Sequence, residues 1–110
     1  MVAAVTAGCA IGVDVGGTKI LAGVVDEHLG VLHRAHRSSQ DMSRDEVLGV
    51  LAELVAEAAD SAPAAVVGVG FGIPGILDRR GGNVTVTQCP HLPLDGVPFE
   101  AVMAERTGLP

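Results

Sequence analysis

Two apolar runs, residues 10–15 (Ala-Ile-Gly-Val-Asp-Val) and 20–25 (Ile-Leu-Ala-Gly-Val-Val), are separated by nothing but Gly16-Gly17-Thr18-Lys19. Both runs read as strands, and the first is a buried strand that carries an acid near its end. A connection this short cannot hold a crossover, so the two strands are antiparallel neighbours in a hairpin. That spacing removes the dinucleotide-binding folds, which open strand–helix–strand. Asp26 to Gly30 form the next turn, and a third strand runs from Val31 to about Arg37. There Val31, His33 and Ala35 alternate with Leu32, Arg34 and His36, which gives one wetter face and suits a position nearer a sheet edge. His28, His33 and His36 read as surface residues.

A helix follows. Ser43-Arg44-Asp45-Glu46 has the form of a capping box, in which the serine hydroxyl serves the N3 amide and Glu46 reaches back. Val47, Leu51, Leu54, Val55 and Ala58 then recur at helical spacing and form one apolar stripe. Asp60-Ser61-Ala62-Pro63 ends it. Residues 65–71 read as a second buried strand, Gly72-Ile73-Pro74-Gly75 as a loop, Gly81-Gly82 as a turn, and residues 84–87 as a short strand of a hairpin. Pro98 suits the first position of a last helix, which runs to about Thr107 and closes on Gly108. The expected class is α/β, in the order β-β-β-α-β, hairpin, α, over a single domain at 1–110. An α/β pattern that stops on a helix lacks the strand such a unit normally delivers. The domain therefore reads as partial, with an uncovered apolar edge near residues 65–71.

Composition narrows the function classes. Acidic residues outnumber basic ones 13 to 7, for a net charge of −6. Arg79-Arg80 is the only basic pair, so no phosphate-tracking stripe exists and nucleic acid is not an expected partner. With two Phe and no Trp or Tyr, the chain also lacks platforms for stacking bases. No apolar run reaches the roughly 18 residues of a membrane helix. The N-terminal stretch Met1 to Val13 lacks the positive flank of a signal peptide. Cys9 and Cys89 could form one bridge at most, and the reading is a cytoplasmic protein with reduced thiols. Cys89 and His91 could be a metal pair, but two ligands do not make a zinc site.

The chemistry concentrates in two places. In Gly12-Val13-Asp14-Val15-Gly16-Gly17-Thr18-Lys19, the glycines let backbone amides approach a phosphate closely. Thr18 offers a hydroxyl and Lys19, the only lysine of the chain, a cation. Asp14 could hold Mg²⁺ directly or through water. An ordinary Gly-Gly hairpin beside an acid has the same residues. An acid inside an apolar strand and the placement of the single lysine favour the phosphate reading. The second place is Gly70-Phe71-Gly72-Ile73-Pro74-Gly75-Ile76-Leu77-Asp78, a strand that ends in a glycine-dense loop open to a flat polar ligand.

Asp-x-Gly-Gly-Thr-Lys, a capped helix and then Gly-x-Gly-x-Pro-Gly-x-x-Asp together resemble the N-terminal lobe of the ROK family. These are bacterial sugar kinases and related repressors with an actin-like ATPase (ribonuclease H-like) fold. The resemblance continues through Cys89-Pro90-His91-Leu92 and Gly96-Val97-Pro98-Phe99 to Gly108-Leu109-Pro110, nearly the whole chain from residue 10.

It implies that Gly12, Asp14, Gly16, Gly17, Thr18 and Lys19 belong to the ATP phosphate site, with Mg²⁺ at Asp14 through water. It implies that Pro74 and Gly75 line the sugar side. His91 stands where the family more often has Asn facing the sugar, and a surface loop histidine fits the residues equally well. The family's catalytic aspartate, in an Asn-Asp pair, falls beyond Pro110, as do its further sugar ligands, its zinc motif and its adenine lobe. No catalytic base is therefore expected within this chain, and Asp78 matches a loop aspartate instead. The implied protein is an ATP-dependent hexose kinase, glucokinase-like, whose partners are ATP and a sugar and which forms a homodimer through its later lobe. The 110-residue chain alone is expected to be inactive. A regulator of the same family is the alternative, although its helix-turn-helix would have to precede a first strand that begins near residue 10. A non-catalytic remnant or binding module is the third reading.

Overall fold

A computed structural model describes residues 8–110. The N-terminal residues 1–7, part of the stretch read above for a signal peptide, lie outside the described residues. Strands β1 (Cys9–Val15), β2 (Lys19–Val25) and β3 (Val31–Ser38) form a meander. Helix α1 (Arg44–Ser61) follows, then β4 (Val66–Gly72), which returns parallel to β1. The sheet order is β3-β2-β1-β4. A separate hairpin of β5 (Ile76–Asp78) and β6 (Thr85–Gln88) leads to α2 (Phe99–Thr107).

The core lies between one face of the sheet and α1. Ile11, Val13 and Val15 of β1 and Ile20, Ala22 and Val24 of β2 point inward. They meet Val47, Leu48, Leu51, Leu54, Val55 and Ala58 of the helix. The capping box is present, with the Ser43 hydroxyl accepting from the Glu46 amide and Glu46 accepting from the Ser43 amide. The same core continues to the hairpin and α2, through Val86, Leu94, Val97, Phe99 and Met103. The two phenylalanines of the chain meet edge to face with centroids 5.0 Å apart, tying β4 to α2.

Four readings are corrected. The strands at 10–15 and 65–71 are not buried on both faces. Ala10, Gly12 and Asp14 point to an open face, and Val67 is 64% exposed. The outward residues are small or apolar, so the alternation was hidden. Gly12 pairs with Gly23 on one side and Gly70 on the other, a row of three glycines across that face. Pro98 is the N-cap of α2, not its first helical residue: its carbonyl accepts from Val102 at 3.0 Å. The short strand is shifted by one, to Thr85–Gln88. His33 is half-buried against α1, with Nε2 3.8 Å from Glu57. β4 does lie at an edge of the sheet, but that edge is not wholly uncovered, since the Val69 amide donates to the Pro110 carbonyl at 2.9 Å.

Candidate functional site

The parallel strands β1 and β4 end on the same side of the sheet, so the turn after β1 and the loop after β4 are neighbours. Asp14 stands in register with Gly72. It is exposed, and its carboxylate takes no part in an ion pair among the described residues. The acid is therefore accommodated by solvent on the open face, not by a partner in an apolar interior. Lys19 and Leu21 of β2 share that face, since Leu21 pairs directly with Asp14. Asp14 borders an open depression of about 600 Å³ shared with Gly12, Gly23, Arg34 and Gly70.

The turn itself is closed by the Gly16 amide donating to the Lys19 carbonyl at 3.0 Å. A Cβ at Gly16 would stand 2.8 Å from that same carbonyl oxygen, so only glycine closes it without movement. At Gly17 a Cβ would stand 2.9 Å from the His91 Cβ. Neither the Gly17 nor the Thr18 amide donates to a protein group among the described residues. Two free amides, the first on a residue with no side chain of its own and bordered by His91, and a lysine one residue on, are donors of the kind that anion oxygens accept from.

Sequence reasoning did not single out Ser39 or Arg44. Ser39 follows β3, where its hydroxyl donates to the Gly16 carbonyl at 2.6 Å and its amide to the Thr18 carbonyl at 3.1 Å. Gly17, Thr18, Ser39, Gln40, Asp41 and His91 line one polar depression of about 630 Å³. The signal for Ser39 was its position, one residue past the strand that pairs with β2 at Lys19. Arg44 donates to the Pro93 and Asp95 carbonyls at 3.0 and 2.7 Å, which fastens the segment carrying His91 to the start of α1. No sequence signal identified that contact.

Pro74 and Gly75 sit on the other side of this segment. The Gly75 amide donates to the Ile73 carbonyl at 2.9 Å, and a Cβ at Gly75 would run into the Gln88 carbonyl. The stretch from Gln88 to His91 thus bridges the two loops, with Gly75 at one end and Gly17 at the other. His91 is exposed over the turn between β1 and β2. Asp78 is engaged by the Arg80 guanidinium at 2.8 Å, whose hydrogen bonds hold its carboxyl below the usual carboxylate range. Among the described residues no group of three or more His, Cys, Asp or Glu side chains could hold a metal, and no helix is long and apolar enough to cross a membrane.

A β-β-β-α-β sheet in this order, with a glycine turn at the carboxyl end of β1, is the N-terminal lobe of an actin-like ATPase fold. Residues 10–110 match the model of the ROK family, and the chain belongs to that family. It is 35% identical over 100 residues to a glucokinase of Thermotoga maritima, covering 89% of this chain and 30% of that protein. It is similar in structure to a ROK family glucokinase of Streptomyces griseus solved in complex with glucose and AMPPNP. That match has a TM-score of 0.80 and 34% identity, over 94% of this chain and 31% of the other. A xylose repressor of Caldicellulosiruptor bescii is 28% identical over 109 residues, covering 94% of this chain and 26% of that protein. The chain therefore spans about a third or less of the length of these relatives.

Proposed function

We propose that the chain is the phosphate-binding part of the N-terminal lobe of an ATP-dependent, glucokinase-like hexose kinase. The observation that carries this reading is the turn with free Gly17 and Thr18 amides, flanked by unpaired Asp14 and Lys19 on one open face. The similarity to glucokinases supports it. In this reading the amides and Lys19 hold phosphate oxygens of ATP, with the nearby Gly12 leaving room on the strand. Asp14 would hold Mg²⁺ through water, since its carboxylate is exposed and free. Bound magnesium supplies positive charge that offsets the charge developing on the transferred group. On the same reading Pro74 and Gly75 face the sugar side, and His91 reaches it from beside the turn, at the other end of the bridge from Gln88. In this reading no residue of this chain is the proton-accepting base, and Asp78 is paired with Arg80.

The test grafts the chain in place of the matching segment of the Thermotoga maritima glucokinase. Glucose-dependent ADP release is expected from the chimera and none from the 110-residue chain alone. Lys19→Ala in the chimera is expected to lower the rate about 100-fold or more, as for other charge-stabilising donors. A folded chimera without turnover would sink the kinase reading, and turnover by the chain alone would show that a base is present within it. The similarity to a xylose repressor favours a second reading, the sugar-binding lobe of a regulator. Nucleotide binding separates the two, since only the kinase reading requires MgATP to protect the Gly17 and Thr18 amides.

A further inference from the structure

Ser39 is the one buried polar residue among the described residues, 3% exposed, and both of its hydrogen bonds go to the phosphate-type turn. A buried hydroxyl must be paired, and this one is paired to the Gly16 carbonyl at 2.6 Å. Its own amide takes the Thr18 carbonyl at 3.1 Å. A trans peptide points its carbonyl and its N–H in opposite directions. Holding the Gly16 carbonyl toward Ser39 therefore turns the Gly17 N–H away from Ser39. The Thr18 carbonyl is fixed in the same way, so the peptide between these two planes is clamped from both sides.

Gly16 and Gly17 are the most conformationally free residue type, and without a clamp they would sample several orientations. We propose that Ser39 is a positioning residue: it sets the Gly17 and Thr18 amides in the orientation that receives phosphate oxygens before the ligand arrives. The proposal rests on the phosphate reading of the turn. It adds that the end of β3, an edge strand remote in sequence, controls the affinity of the turn through one hydroxyl.

The experiment uses the ¹⁵N-labelled 110-residue chain titrated with inorganic tripolyphosphate, with and without Mg²⁺. In the unmodified chain the Gly17 and Thr18 amides are expected to shift most. Ser39→Thr keeps the hydroxyl and Ser39→Val, of nearly the same shape, removes it. Thr is expected to bind as the parent does, and Val about five- to tenfold more weakly, the loss of one hydrogen bond's worth of preorganisation. Both variants should melt within a few degrees of each other, which a merely structural role would not combine with a binding difference. Equal binding by Thr and Val, with the parent binding at Gly17 and Thr18, overturns the positioning role and leaves the phosphate reading standing. No shift at Gly17 and Thr18 in the parent overturns the phosphate reading and the positioning role with it. A Val variant that loses its dispersed spectrum while Thr keeps it assigns Ser39 to folding and overturns the proposal.

Discussion

Gly75 and Cys89 show how tightly single residues are constrained beside the site. A methyl group at Gly75 meets the Gln88 carbonyl, a backbone atom that cannot swing aside. Gly75→Ala is therefore expected to lower the unfolding free energy by about 1–3 kcal/mol in denaturant titrations, an overpacking cost. Cys89, one residue along, is buried, and its amide donates to Asp95 at 2.8 Å. Burial, and then the Asp95 carboxylate, push its thiol above the ordinary 9.0. Less thiolate is present at a given pH, so iodoacetamide is expected to modify Cys89 at pH 8 more slowly than a free cysteine. Alkylation at the rate of the free amino acid would show that the segment from Gln88 to His91 opens in solution.

At the scale of elements, α1 is the part that was most legible. Its capping box, apolar stripe and end point all follow from side-chain type and spacing, and the structure places them there. Ser43→Ala is expected to cost about 1 kcal/mol in urea unfolding, the usual cost of a lost N-cap. The Ser43 amide and hydroxyl hold the Glu46 carboxyl below its ordinary 4.5. A lowered folded value means the contribution is present above pH 4.5 and is lost as the pH falls through the folded pKa. The difference between parent and Glu46→Gln, which removes the titrating carboxyl, is thus expected to shrink as the pH falls below 4.5. The strands were less legible. Glycine and alanine at outward positions look like core residues in a sequence, which hid the open faces of β1 and β4 and made Asp14 read as interior. The site was legible where residue type carries the chemistry, as in Gly16 to Lys19. It was not legible where a common residue acts through a distant contact, as Ser39 and Arg44 do, because nothing local in sequence marks the partner.

For the whole molecule, the arrangement separates stability from the site. The core lies on one side of the sheet, against α1, while Asp14, Lys19 and the glycine row lie on the other. A Cβ placed at Gly12 or at Gly70 would meet nothing within 4 Å. Replacing either with alanine is expected to leave the melting temperature of the chain unchanged or raise it, an effect worth about 0.4–1 kcal/mol through the unfolded state. Scanning calorimetry checks this directly. Glycine at these two positions thus serves no packing need, and what it leaves is bare backbone in the middle of the open face, where anything laid on the sheet could come within contact of the main chain itself.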